Sequence, residues 1–158
     1  MQISELRHHR EYIQPLAIWH QQEWSHLNPG ESLEQRIKRM QEYLTADFIP
    51  SMFVAHDDNS LFGSAAIVKN DMDIHQNLTP WLASVFVKKE NRKQRIGRQL
   101  VLHVIQQAKT RGIKKIYLYT EDQMDFYQKL GWKPYCKERY KNQPVDIMVF
   151  DLKLNDSI

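Results

Sequence analysis

Trp81-Leu82-Ala83-Ser84-Val85-Phe86-Val87-Lys88-Lys89-Glu90-Asn91-Arg92-Lys93-Gln94-Arg95-Ile96-Gly97-Arg98 changes character twice along its length. The first seven residues follow Pro80 as a nearly continuous apolar run, which suits a strand buried on both faces. A basic loop comes next. From Ile96 onward the period changes: Leu100, Val101, Val104, Ile105 and Ala108 recur at helical spacing, and Gly112 after Arg111 is a natural helix stop. Lys115 to Thr120 then reads as another strand. Strand, basic loop, helix and strand in this order make a βαβ-like unit, with its two strands expected to run in parallel.

Working outward, Ile3 to Arg7 reads as a short strand and Ile13 to Glu23 as a helix. After Asn28-Pro29-Gly30 a second helix is predicted from Ser32 to Leu44. Ser32 and Gln35 form a capping box there, and Leu33, Ile37, Met40 and Leu44 fall on one face. Met52 to His56 and Leu61 to Lys69 read as a hairpin around Asp57-Asp58-Asn59-Ser60. Downstream, a short helix from Met124 to Leu130 ends at Gly131, and Trp132 to Tyr140 and Val145 to Leu152 read as two last strands. The expected fold is α/β (α+β): one domain over residues 1–158, with a mixed central sheet of about six to seven strands flanked by about four helices.

Composition narrows the function classes. At 158 residues, 42% hydrophobic and 26% charged, the chain has material for one core and is neither disordered nor fibrous. Its one cysteine, Cys136, rules out an internal disulfide, and with no partnering thiols for the seven histidines no thiolate zinc site is expected. His20 and His26 are six apart, which does not put them on one helical face, so no metal is expected. The first ten residues lack an apolar signal core, and no stretch approaches the ~20 apolar residues a bilayer needs. A cytoplasmic, soluble protein with no membrane partner is therefore expected. Net charge is +3, but Lys88 to Lys115 alone carries +9 and the remainder −6. A basic segment in an otherwise acidic chain favours a local anionic partner.

The local pattern selects that partner. A helix N-terminus presents unpaired N–H groups and a positive dipole end, so the junction before Ile96 is suited to phosphate. Arg92, Lys93, Arg95 and Arg98 add charge, and Gly97 permits close backbone approach. A nucleic-acid module would need a broader basic face with aromatics placed to stack on bases. Here the nearest aromatics, Tyr117 and Tyr119, belong to a predicted core strand.

Arg92-Lys93-Gln94-Arg95-Ile96-Gly97 resembles the Arg/Gln-x-x-Gly-x-Gly/Ala signature of the GNAT superfamily of N-acetyltransferases, which binds the pyrophosphate of acetyl-CoA. Arg95 stands where the family usually has its first glycine and offers a guanidinium instead. Phe126-Tyr127-Gln128-Lys129-Leu130-Gly131-Trp132 is similar to the family's Phe-Tyr-x-Lys-Leu-Gly-Phe element. The resemblance implies a splayed pair of strands ending near Val87 and Thr120. The pantetheine arm of acetyl-CoA would lie between them, paired to the backbone of Val85, Phe86 and Val87. It implies cofactor contacts from Arg92, Lys93, Gln94, Arg95, Ile96, Gly97, Arg98, Phe126 and Tyr127.

It also implies the chemistry. An amine attacking a thioester must lose a proton, and the departing thiolate must gain one. Tyr127 occupies the position from which a family tyrosine protonates the sulfur. Many relatives carry a glutamate on the strand before the pyrophosphate loop, but Trp81-Leu82-Ala83-Ser84-Val85 has no carboxylate. Asp71, Asp73 and His75, just before that strand, are alternative bases. Glu23 and Trp24, at the end of the first helix, stand where the family places acceptor contacts. The expected activity is direct acetyl transfer from acetyl-CoA to a primary amine of a small molecule or peptide, by a monomer or homodimer that binds no nucleic acid. The alternatives are an acyl-CoA-binding sensor without turnover, and a basic nucleic-acid-binding module.

Overall fold

The computed structural model describes residues 1–153. Seven strands, β1 (Gln2–Glu5), β2 (Ser51–His56), β3 (Leu61–Val68), β4 (Trp81–Val87), β5 (Lys115–Thr120), β6 (Lys133–Tyr140) and β7 (Gln143–Asp151), form one sheet in the order β1-β2-β3-β4-β5-β7-β6. Four α-helices accompany them: α1 (Ile13–Trp24), α2 (Leu33–Met40), α3 (Ile96–Thr110) and α4 (Met124–Lys129). All neighbouring strands are antiparallel except β4 and β5, which run parallel as the βαβ pattern predicts.

Each face of the sheet has its own cover. Leu100, Val101, Val104, Ile105 and Ala108 of α3 pack on Phe53, Ala65, Ile67, Leu82 and Ile116, with Tyr127, Leu130 and Trp132 extending that core. On the opposite face Leu16 and Ala17 of α1 and Met40 of α2 meet Met52, Val54 and Ala66. Farther along it, Met72 and Leu78 of the loop 69–80 cover Trp81, Tyr117 and Ile147. This is why β2 is buried at every position.

Several boundaries moved for local reasons. The first strand ends at Glu5 rather than Arg7, because Leu6 turns inward and is fully buried. The capping box is present, with Gln35 N donating to Ser32 Oγ at 3.1 Å and Ser32 N to Gln35 Oε1 at 2.8 Å. The α-helix it starts stops at Met40, and Gln41–Leu44 tightens into a 3-10 turn. The last two strands join across Lys141-Asn142, both at positive φ, so β7 begins at Gln143 rather than Val145.

The largest departure is in β4. Trp81, Leu82 and Ala83 are buried, but Ser84 to Val87 are only half-buried. The parallel pair holds at one register, Trp81 against Tyr117, and the two strands then diverge. The open side of β4 faces a cleft instead of a neighbouring strand.

Candidate functional site

That cleft encloses about 1120 Å³. Leu82 to Val87 line one side and Leu118 to Thr120 the other, with the start of α3, α4 and the end of α1 completing the walls. A bulge shapes the β4 side. Ser64 opposes Phe86 while Ala66 opposes Ala83, so β4 carries one extra residue there, and Ser84 sits at φ +53°. The bulge brings the Phe86 carbonyl against β3, where a Cβ on Gly63 would lie 2.3 Å from it. Only glycine tolerates that approach.

The bulge is pinned from beneath. Ser64 Oγ donates to the Ser84 carbonyl at 2.8 Å, so the His20–Ser64 contact of 2.9 Å has His20 Nε2–H as donor. His20 is buried, and desolvation, helped by the charges of Arg36 and Arg39, lowers its pKa to about 3, so the ring is neutral. Its other neighbours are aromatic. The rings of Trp24 and Phe86 lie 5.1 and 5.9 Å from it and 6.2 Å from each other. Trp24 both packs in this cluster and lines the cleft.

At the α3 end, Arg95 caps the helix at φ +64°, ψ +18°, a left-handed backbone that glycine adopts without strain. The N–H groups of the first helical turn have no intrahelical acceptor there. Lys93, Arg95 and Arg98 are exposed along the cleft. Arg92 is partly committed: its Nε donates to the Val87 carbonyl at 2.9 Å, its guanidinium stacks 5.6 Å from the Phe86 ring centre, and Glu23 lies 4.0 Å away.

The other end holds Arg36, Arg39 and Asp71. Glu31 bridges the two arginines, pairing with Arg36 at 3.2 Å and Arg39 at 3.0 Å, and leaves the group a net positive charge. Burial raises the Asp71 pKa to about 7, although Arg39 and Lys141 pull it down. Tyr127 is buried with its ring edge-on to Phe126 and Trp132. Burial, then the Asp71 charge, raises its pKa well above the usual tyrosine range, so its hydroxyl stays protonated.

The acetyltransferase (GNAT) family model matches residues 13–132. The chain belongs to this family. No curated protein sequence matches it. Among solved structures it is similar to an aminoglycoside 6'-N-acetyltransferase complexed with coenzyme A, at 20% identity and a TM-score of 0.77, covering 96% of this chain and 97% of that one. It is also similar to the aminoglycoside 6'-N-acetyltransferase from Enterococcus faecium, at 20% identity and a TM-score of 0.74 over the same shares. A GNAT family acetyltransferase from Elizabethkingia anophelis with acetyl-CoA bound matches at 20% identity and a TM-score of 0.55, covering 73% of this chain and 82% of that one. These likenesses show the fold.

The protein is thus a GNAT acetyltransferase with acetyl-CoA as its acyl carrier. Two features at the α3 end fit that carrier. A Cβ on Gly97 would make only ordinary 3.6 Å contacts with Phe126 and Val87, so the protein's own packing does not demand glycine there. Asn91 Oδ1, on the same wall, is buried without a partner.

Of the residues singled out in the sequence, the cleft brings together Glu23, Trp24, Asp71, Val85, Phe86, Val87, Arg92, Lys93, Arg95, Ile96, Gly97, Arg98, Phe126 and Tyr127. Gln94 and Asp73 are exposed and do not line it. His75 turns to Glu138 on β6 instead. Sequence reasoning missed Arg36 and Arg39, to which it gave no role, and the Ser64–His20 support, which joins residues far apart in the chain. Only the three-residue spacing of the two arginines, placing them on one helical face, was visible.

Proposed function

We propose that this acetyltransferase transfers acetyl directly to a primary amine of a small cationic molecule or peptide, with Asp71 accepting the amine's proton and Tyr127 protonating the leaving sulfur. When bound, acetyl-CoA supplies the activated acetyl thioester. The first turn of α3 with Lys93, Arg95 and Arg98 would hold its phosphates, and Ser84 to Val87 its amide-bearing arm.

The observation that carries the reading is a pair of groups with opposed proton states in one cleft. Asp71, at about 7, is half ionised near neutrality and accepts a proton at its carboxylate, while Tyr127 Oη holds one throughout that range. Exposed Glu23, Glu121 and Asp122 rim the cleft with negative charge, which favours a cationic amine. Cys136 does not line the cleft, which supports direct transfer without an acyl-cysteine. The reading takes the chain as one catalytic domain acting as a monomer or homodimer on soluble acceptors; no helix among the described residues is long and apolar enough to cross a membrane.

The test is release of free thiol from acetyl-CoA across a panel of primary amines, with Tyr127→Phe run beside the wild type. Turnover is expected with at least one cationic amine, and Tyr127→Phe should lose about 100-fold in kcat with CoA affinity nearly unchanged. Thermal stabilisation by CoA without turnover on any amine would favour the sensor reading. An unimpaired Tyr127→Phe would remove the tyrosine from the acid role.

A further inference from the structure

Outside the cleft, the loop 69–80 meets the edge strand β6 at a cluster that acetyl transfer does not use. Cys136 and Glu138 stand two apart on β6 and so project from the same face. His75 approaches them from the loop, its Nε2 2.7 Å from Glu138 Oε1. One ligand atom from each of the three lies within 4.8 Å of the other two, and all three side chains are half-buried.

We propose that His75, Cys136 and Glu138 bind a divalent transition-metal ion of the zinc class that clips this loop to β6. The donor set is imidazole, thiolate and carboxylate, which suits Zn²⁺ and disfavours the all-oxygen preference of Mg²⁺ and Ca²⁺. Ligand bonds of ~2.0–2.3 Å in a tetrahedron place the donor atoms about 3.3–3.8 Å apart. The donor triangle is at most 4.8 Å wide, so binding would draw its widest side in by about 1 Å, with water as the fourth ligand.

The backbone is already set for it. His75 sits at φ +55°, a left-handed conformation costly for a side chain bearing a Cβ, and this turn directs the imidazole toward β6. A neighbouring tie, Asp73 N to Tyr140 Oη at 3.2 Å, holds the same loop to the same strand. Without metal, burial and the Glu138 charge keep the Cys136 thiol protonated. Binding forms the metal–sulfur bond as that proton leaves to solvent, and the ion replaces the His75–Glu138 hydrogen bond. No spacing in the sequence revealed this set, because its histidine comes from a distant loop; the expectation of no metal rested on the lone cysteine and on histidine spacing, and the proposed site departs from it by joining one thiolate to ligands of two other residue types. Asp71 lies on the clipped segment, so the ion would steady the loop that carries it into the cleft.

The test needs no acetyl transfer, so its outcome is independent of the function proposed above. The full chain, stripped with chelator, is titrated with Co²⁺ while thiolate-to-metal charge-transfer absorption is followed, and Zn²⁺ is then added. One equivalent of Co²⁺ should bind and be displaced by Zn²⁺. Cys136→Ser should lose the absorption while keeping the wild-type circular dichroism, and His75→Ala should bind about tenfold or more weakly. Amide exchange over residues 70–78 should slow on addition of Zn²⁺ to the wild type alone. Absence of the absorption, its persistence in Cys136→Ser, or unchanged exchange in 70–78 overturns the proposal.

Discussion

At the α3 end of the cleft the charges stand in water and come from one continuous segment, Arg92 to Arg98; at the other end Arg36 is buried, Asp71 half-buried and Arg39 exposed, and they come from α2 and the loop 69–80. In the proposed function the first end is the docking surface: Lys93, Arg95 and Arg98 are exposed, so their contribution to binding an anion would be modest and screened by salt. The second shifts proton equilibria instead. Burial moves Asp71 up to about 7 and His20 down to about 3, and their neighbouring charges arise from Arg36, Arg39 and Lys141. In the proposed function, binding and chemistry divide along this difference.

The sharpest way to break that division is Asp71→Asn, which keeps the shape and removes the ionisation. With Asp71 as base, kcat/KM should fall by about 10²–10⁴-fold, and the limb of its pH profile near pH 7 should disappear. The Kd for CoA should not change. Steady-state kinetics from pH 5.5 to 9 with CoA binding measured in parallel checks this; a retained limb would move the base elsewhere.

The two ends also differ in how far the sequence disclosed them. The basic junction was legible because strand, loop and helix signals lie within one local stretch, and Gly97 and the Lys93–Arg98 charges are read directly from it. Even there the backbone kept a surprise: Arg95 adopts the left-handed cap that its side chain gave no reason to expect. The bulge at Ser84 was invisible, since an apolar run says nothing about one extra residue in register, and its only trace was the unexplained Gly63 on the facing strand. The half proposed for the acceptor was hidden for a topological reason. Asp71 was one of several polar residues in a loop, and nothing local separated it from Asp73, which the fold leaves exposed. Burial, not residue type, makes the distinction.

A smaller effect sharpens the docking end. Arg92→Ala with Arg95→Ala should weaken CoA binding by about 10–100-fold at low salt, with the gap narrowing as salt is added, and should leave kcat nearly unchanged. Arg95→Gly separates side chain from backbone. It should lose as much CoA affinity as Arg95→Ala, yet unfold about 1 kcal/mol later because glycine relieves the left-handed strain. Calorimetric titration at two salt concentrations, with urea unfolding of each variant, reads both terms. Equal CoA affinity in all forms would move the phosphates away from this turn.

The smallest effect tests the buried end through stability. Asp71 is raised from 3.8 to about 7, so between about pH 4 and 7 the folded chain holds a proton that the unfolded chain has lost, and stability falls as pH rises through that window. His20 is lowered from 6.5 to about 3, so between about pH 3 and 6.5 the unfolded chain holds the extra proton, and stability rises with pH. Over about pH 4 to 6.5 the two slopes oppose each other and largely cancel. Asp71→Asn should therefore expose a rise with pH, and His20→Gln, which keeps a donor for Ser64, a fall, the Asp71→Asn trend differing from the wild-type one by about 1 kcal/mol across the window once solvent access to Asp71 is allowed for. Urea unfolding at pH 4.5, 5.5 and 6.5 measures the three slopes, and because every other titrating group is common to all forms, the differences isolate these two. Parallel slopes in all three proteins would mean that neither group changes its proton affinity on folding, and the acceptor half would then be as ordinary electrostatically as the docking end.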